Sequence, residues 1–244
     1  MNEINPVMRV EKIVKTFGGL RAVDGADMHL RNNEILGLIG PNGAGKTTLF
    51  NIISGTLSAT SGRIYLFDKL ISRPRSNKMA ELGIGRTYQI VKPFSTMTVL
   101  ENTMVGAFVR TNSAAHAREK ACEVLEQLEF THKANVQGKS LGLLDLKRLE
   151  IARALATSPS ILLLDEVMAG LNPEARERMM ETIRGIQMTG MSIIIIEHVM
   201  KAIMGLSERI YVLNQGAIIA EGTPTEISEN ELVIQSYLGE KKYA

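Results

Sequence analysis

An α/β fold is predicted for this chain, with a buried and largely parallel sheet, an N-terminal antiparallel portion and an inserted helical lobe. Three observations carry that prediction. Ile35–Ile39, Ile161–Leu164 and Ser192–Ile196 are short unbroken apolar runs of strand length, as in parallel strands covered on both faces. Two N-terminal segments instead alternate apolar and polar residues. Between Phe94 and Thr157 the apolar period lengthens to that of helices.

The elements follow in chain order. Residues 7–17 and 23–30 alternate as half-buried antiparallel strands do, with Gly18-Gly19 between them. Ile35–Ile39 is a buried strand, and residues 47–53 form the helix after the loop that follows it. Ser58–Gly62 reads as a turn and Gly62–Phe67 as a strand. Ala117, Ala121, Val124, Leu125 and Leu128 recur every three or four residues, the stripe of one amphipathic helix. Asn172-Pro173 supplies an N-cap and a first-turn proline, and Gly190 a stop. Residues 209–213 and 217–221 pair around Asn214-Gln-Gly216, and the tail from Thr223 to Leu238 is helical.

Composition narrows the possibilities. The chain has 244 residues, enough for one large core without staples. Charged residues make up 22% and the net charge is +2, so no bulk basic field favours nucleic acid. There is no Trp and only 5% aromatic residues, too little for a base-stacking platform. The single cysteine, Cys122, fits a reducing compartment, and its place in an apolar helical stripe predicts a small buried packing residue. The N-terminal residues lack a basic and apolar leader, so secretion is not expected. No apolar run approaches the ~20 residues that span a bilayer. A cytoplasmic chain is expected, with any membrane role exercised through a partner.

The segment Gly40-Pro-Asn-Gly-Ala-Gly-Lys-Thr-Thr48 lies between the strand Ile35–Ile39 and a helix. It is a complete phosphate-binding loop. Gly40, Gly43 and Gly45 let the backbone turn its N–H groups inward, so Asn42, Gly43, Ala44 and Gly45 can line a phosphate cradle. Lys46 reaches the β- and γ-phosphates, the Thr47 hydroxyl can ligate Mg²⁺, and Thr48 lies in the first helical turn. A nucleoside triphosphate is the expected ligand. By itself the loop does not separate kinases, GTPases, motors and transport ATPases.

Further residues extend the site. Asp165-Glu166 ends a buried strand, where open α/β sheets place ligands. Asp165 is expected to hold Mg²⁺ through water and Glu166 to polarise the attacking water. His198 follows the next such strand and can hydrogen-bond a γ-phosphate. Gln89, at the junction with the helical lobe, offers a neutral amide to Mg²⁺ or water. His29, His116 and His132 read as surface or packing residues.

Taken together, the phosphate loop, Gln89, Asp165-Glu166, Ala169-Gly-Leu-Asn172 and His198 resemble the ATP-binding cassette (ABC) ATPases in order and approximate spacing. That resemblance implies a P-loop NTPase (RecA-like) core with an antiparallel β-subdomain and a helical lobe carrying a signature motif. Residues 1–244 would form a single ATPase domain, with 1–89 and 158–244 the core and β-subdomain and 90–157 the lobe. It implies ATP and Mg²⁺ as ligands, Phe17 as the residue stacking on adenine, and two cassettes bound head to tail. Lys15–Asp24, Gly85–Phe94, Met97–Asn102, Arg148–Leu155, Asp165–Asn172 and Asn214–Gly216 with Glu221–Pro224 are similar to the branched-chain amino acid importer subfamily. The partners thereby implied are a second ATPase, making a heterodimer or a homodimer, transmembrane permease subunits on the cytoplasmic face, and a solute-binding protein. Nucleic acid is not among them. Urea and short amides remain alternative cargoes.

The signature departs from the pattern. Leu141-Gly142-Leu143-Leu144-Asp145 stands where the family has Leu-Ser-Gly-Gly-Gln or Leu-Ser-Tyr-Gly-Gln. Gly142 lacks the serine hydroxyl and Leu144 replaces a glycine. A degenerate signature donated to the partner's ATP site is expected, with one strong and one weak site. Two other readings stay open: a soluble ABC ATPase acting on nucleic acid or the ribosome, and a largely regulatory cassette.

Overall fold

A computed structural model of the chain describes residues 6–89 and 92–238. Ile90 and Val91, part of the Gly85–Phe94 motif and of the expected start of the helical lobe, lie outside the described residues. In chain order the elements are β1 (Met8–Phe17), β2 (Leu20–Leu30), β3 (Ile35–Ile39), α1 (Lys46–Ile53), β4 (Ser61–Leu66), β5 (Lys69–Leu70) and α2 (Ser76–Glu81). Then come β6 (Ile84–Arg86), α3 (Val99–Ala107), α4 (Ala114–Gln127), α5 (Leu143–Ala156), β7 (Ile161–Asp165) and α6 (Pro173–Met188). The chain closes with β8 (Ser192–Ile196), α7 (Met200–Leu206), β9 (Arg209–Asn214), β10 (Ala217–Gly222), α8 (Pro224–Glu229) and α9 (Glu231–Leu238). Contacts group these into two units, one of residues up to Met79 with those from Ser192, the other Ala80–Met191.

In the first unit, β3 runs parallel between β8 and β9, and β10 pairs antiparallel with β9. Every residue of β3 and β8 is buried, which is why both read as unbroken apolar runs. Leu38 stands opposite Ile196, so the C-terminal ends of β3 and β8 share one sheet edge. Gln215 and Gly216 both have positive φ and join β9 to β10, as a two-residue hairpin requires. The antiparallel sheet has the order β2-β1-β4-β5. Buried Arg209 ties these strands together, donating to Glu34 at 2.8 and 3.0 Å, to the Tyr211 hydroxyl at 3.0 Å and to the His29 carbonyl at 2.7 Å.

In the second unit, β6 and β7 are parallel, and α3, α4 and α5 form the helical part. A capping box opens α3: Thr98 Oγ1 accepts from the Glu101 N–H and Glu101 accepts from the Thr98 N–H. The Asn102 amide donates to the carbonyls of Phe94, Met97 and Thr98, knitting the loop before that helix. Asn172 caps α6 by accepting from the Ala175 N–H at 2.8 Å.

Some expectations need correction. The predicted stripe of α4 is buried, but Cys122 is exposed; it follows Ala121 by one residue, about 100° around the helix, and so leaves the apolar face. The strand expected through Phe67 ends at Leu66, because Phe67 takes φ 48° and turns outward. The C-terminal tail is two helices, since Asn230 adopts extended ψ and its side chain accepts from the Val233 N–H.

Candidate functional site

The phosphate loop begins one residue beyond β3 and ends at Gly45, the N-cap of α1. Gly45 has φ 105°, and α1 carries neither a side-chain cap nor an acidic residue in its first turn. No side chain or acidic residue there opposes an anion at the helix N-terminus. A Cβ on Gly40 would lie 1.9 Å from the Leu213 carbonyl oxygen, and one on Gly45 2.2 Å from that of Ala22. Only glycine fits at either place. The Ala44 carbonyl accepts from the Gly216 N–H at 2.9 Å, and the Gly216 carbonyl from the Asp24 N–H at 2.8 Å, so the β9–β10 turn clasps the loop.

Lys46 is buried, and its ammonium donates to the carbonyls of Gly40 at 2.6 Å and Pro41 at 2.9 Å. A cation is thus held against a loop whose N–H groups and helix dipole already favour negative charge. Asn42, Gly43 and Thr47 are exposed beside it, Ala44 is buried and Thr48 is half-buried. This cradle fits a polyphosphate. Phe17 is 48% exposed, with the Lys15 ammonium 5.0 Å from its ring centroid, so it presents an aromatic face and is not a core residue. His198 is exposed two residues beyond β8, at the sheet edge where the loop begins.

The second unit brings together Gln89, Asp165 and Glu166. Asp165 ends β7 almost fully buried and accepts from Arg86 Nη2 at 3.0 Å, in a pair whose side chains are 7% and 4% exposed. Its N–H donates to Thr87 Oγ1 at 3.1 Å. Burial pushes the Asp165 carboxyl above the ordinary range, and the Arg86 guanidinium acts in the opposite direction. With one oxygen engaged by Arg86, the carboxylate suits a metal contact through water. Glu166 takes φ 50°, uncommon outside glycine and found where surrounding structure enforces it. The Gln89 amide donates to Glu166 Oε2 at 2.8 Å.

Other residues near this pair escaped the sequence reading. Arg86 lies in β6, which at three residues is too short to show a period. Glu150 sits in the quoted helix motif and Lys147 just before it, and neither carried an assigned role. Lys147 donates to the Glu166 carbonyl at 3.2 Å, and Glu150 accepts from the Tyr88 N–H at 2.9 Å.

The signature segment starts α5. Leu141 is buried, Gly142 is the N-cap, Leu143 is 45% exposed, and Leu144 and Asp145 are half-buried. Asp145 lies 3.6 Å from the Lys133 ammonium. No side chain caps the helix, because Gly142 has none. A Cβ there would meet nothing within 4 Å.

Comparison with known proteins bears on the whole chain. The ABC transporter family model matches residues 23–169, and that of the branched-chain amino acid ATP-binding cassette transporter matches 217–243. The high-affinity branched-chain amino acid transport ATP-binding protein LivG of Salmonella typhimurium is 42% identical, over 96% of this chain and 98% of LivG. The corresponding protein BraF of Pseudomonas aeruginosa is 38% identical, over 96% and 98%. The crystal structure of the ADP conformation of MJ1267, an ATP-binding cassette of an ABC transporter, matches with a TM-score of 0.88 at 32% identity, covering 96% of this chain and 99% of that one. The glycine cradle with its buried lysine, the strand-end carboxylates and these matches lead to one conclusion: the chain belongs to the ABC transporter family, as one of its ATP-binding cassettes.

Proposed function

We propose that this chain is the ATP-hydrolysing subunit of an importer for branched-chain amino acids. It works at the cytoplasmic face of the membrane with a second cassette, permease subunits and, indirectly, a solute-binding protein. The cradle at Gly40–Thr48 is the observation that carries the ATPase reading. The cargo reading is supported by the printed names of LivG and BraF and by the tail match at 217–243. Among the described residues no helix is long and apolar enough to cross a membrane, so attachment is assigned to the permease.

In this reading Phe17 stacks on adenine, and the N–H groups of Asn42, Gly43, Ala44 and Gly45 with Thr48 hold the phosphates. Lys46 exchanges its loop carbonyls for β- and γ-phosphate oxygens. Thr47, Gln89 and Asp165 would hold Mg²⁺, which would supply counter-charge for the phosphates. Glu166 accepts a proton from the attacking water, Gln89 orients that water, and His198 donates to the γ-phosphate. ATP favours the closed pair of cassettes because its γ-phosphate makes contacts absent from the open pair, and hydrolysis releases them. Leu141–Asp145 face the partner's nucleotide. Without a hydroxyl at Gly142 that site loses a charged hydrogen bond of about 1.5–3 kcal/mol.

The test is Glu166→Gln. Hydrolysis is expected to fall roughly 10²–10⁴-fold while ATP affinity is unchanged. Full hydrolysis by that variant refutes the role of Glu166. For cargo, liposomes carrying the assembled transporter should take up leucine or valine with ATP consumption; uptake of urea instead overturns the amino-acid assignment.

A further inference from the structure

Helix α5 presents Lys147, Glu150 and Arg153 at three-residue intervals, neighbouring positions on one side of a helix. Each side chain ends on the main chain of the segment that runs through Gln89. Glu150 Oε1 accepts from the Tyr88 N–H at 2.9 Å. Lys147 Nζ donates to the Gln89 carbonyl at 3.4 Å and to the Glu166 carbonyl at 3.2 Å. Arg153 Nη1 donates to the Lys92 carbonyl at 3.1 Å. One helix thus grips both members of the Gln89–Glu166 pair by their backbones.

The energetics argue against simple packing. Lys147 and Glu150 are 3% and 6% exposed, and burying such ionisable groups is costly unless their polar atoms are engaged. Glu150 Oε2 is buried with no partner, a further cost. The same helix buries Leu149, Ile151 and Ala152 without any such penalty. Glu166 meanwhile holds φ 50°, a disfavoured conformation that persists only where neighbours enforce it. The Lys147 ammonium on its carbonyl is one such restraint.

We infer that Lys147 and Glu150 are positioning residues for ATP hydrolysis, setting the main chain of Tyr88, Gln89 and Glu166 so that the Gln89 amide meets the Glu166 carboxylate. The inference rests on the hydrolytic reading of Glu166. It is tested on the purified full-length chain through the Gln89 side-chain amide signal in ¹⁵N–¹H NMR, assigned by its loss in Gln89→Ala. In Lys147→Met, and separately in Glu150→Leu, that signal is expected to move toward the position of a solvated glutamine while the Gly43 and Gly45 amides stay in place. In the reconstituted transporter, steady-state turnover should drop roughly tenfold or more with the Kd of the chain for an ATP analogue within about twofold. Lys147→Arg should restore most of the turnover.

An unmoved Gln89 amide overturns the role of the residue substituted. So does a parallel loss of nucleotide binding and turnover with Lys147→Arg no better than Lys147→Met, the pattern of a merely structural lysine. Lys147→Gln carries the same readout if Lys147→Met does not fold. Should the parent chain, assembled with its partner cassette and permeases, bind ATP without hydrolysing it, the functional reading fails, and the amide signal still decides the positioning claim.

Discussion

Three glycines in one loop occupy different surroundings. At Gly45 a Cβ would sit 2.2 Å from a backbone oxygen, whereas at Gly43 it would meet nothing within 4 Å. Gly43 still has φ 76°, so alanine there is strained without being blocked. Gly45→Ala is therefore expected to abolish nucleotide binding and to cost roughly 3 kcal/mol or more of stability. Gly43→Ala should cost about 1–2 kcal/mol and keep the fold. Thermal melts with nucleotide titration of both variants check this, and equal losses would refute the distinction. Glu166 illustrates the converse: a non-glycine residue held at φ 50°, where the proposed mechanism places the base. Cys122 shows how far a one-residue offset matters, since the stripe beside it is buried and the thiol is not.

Among the elements, α5 begins in a conformation that suits a capping residue it does not have. Gly142 has φ −72° and ψ 169°, ordinary for an N-cap, with open space where a side chain would go. Gly142→Ser should raise stability by a few tenths of a kcal/mol, read as a higher Tm. A lower Tm would show that the space is not free. The strand network around Arg209 carries a pH dependence. Burial and the Arg209 charge hold His29 below its ordinary pKa of 6.5. The unfolded chain therefore binds protons more readily, so stability is full above pH 6.5 and declines as pH falls below it. His29→Gln should flatten that decline in Tm; an unchanged slope would assign it to other groups.

For the whole molecule, the proposed pairing of cassettes makes an asymmetric prediction. If Gly142 and Leu144 weaken the site this chain completes for its partner, the ATP bound on this chain's own loop does most of the work. In the reconstituted transporter Lys46→Ala should then abolish turnover, while the equivalent substitution in the partner leaves a measurable fraction. Equal losses from the two would defeat the asymmetry. The phosphate loop, the buried strands and the stripe of α4 were legible in the amino acids alone, because local spacing and unbroken burial leave direct marks on a chain. The positions of Gln89, Asp165, Glu166 and His198 at or just beyond strand ends were legible too. The grip of Arg86 on Asp165, the hold of Lys147 and Glu150 on the Gln89 segment, the closure of the loop by Gly216 and the outward turn of Cys122 were not. Those depend on which backbone groups distant segments bring within hydrogen-bond reach, and on small rotations about a helix axis. Pattern states which residues are apolar and where chains turn; only tertiary packing decides which polar groups meet.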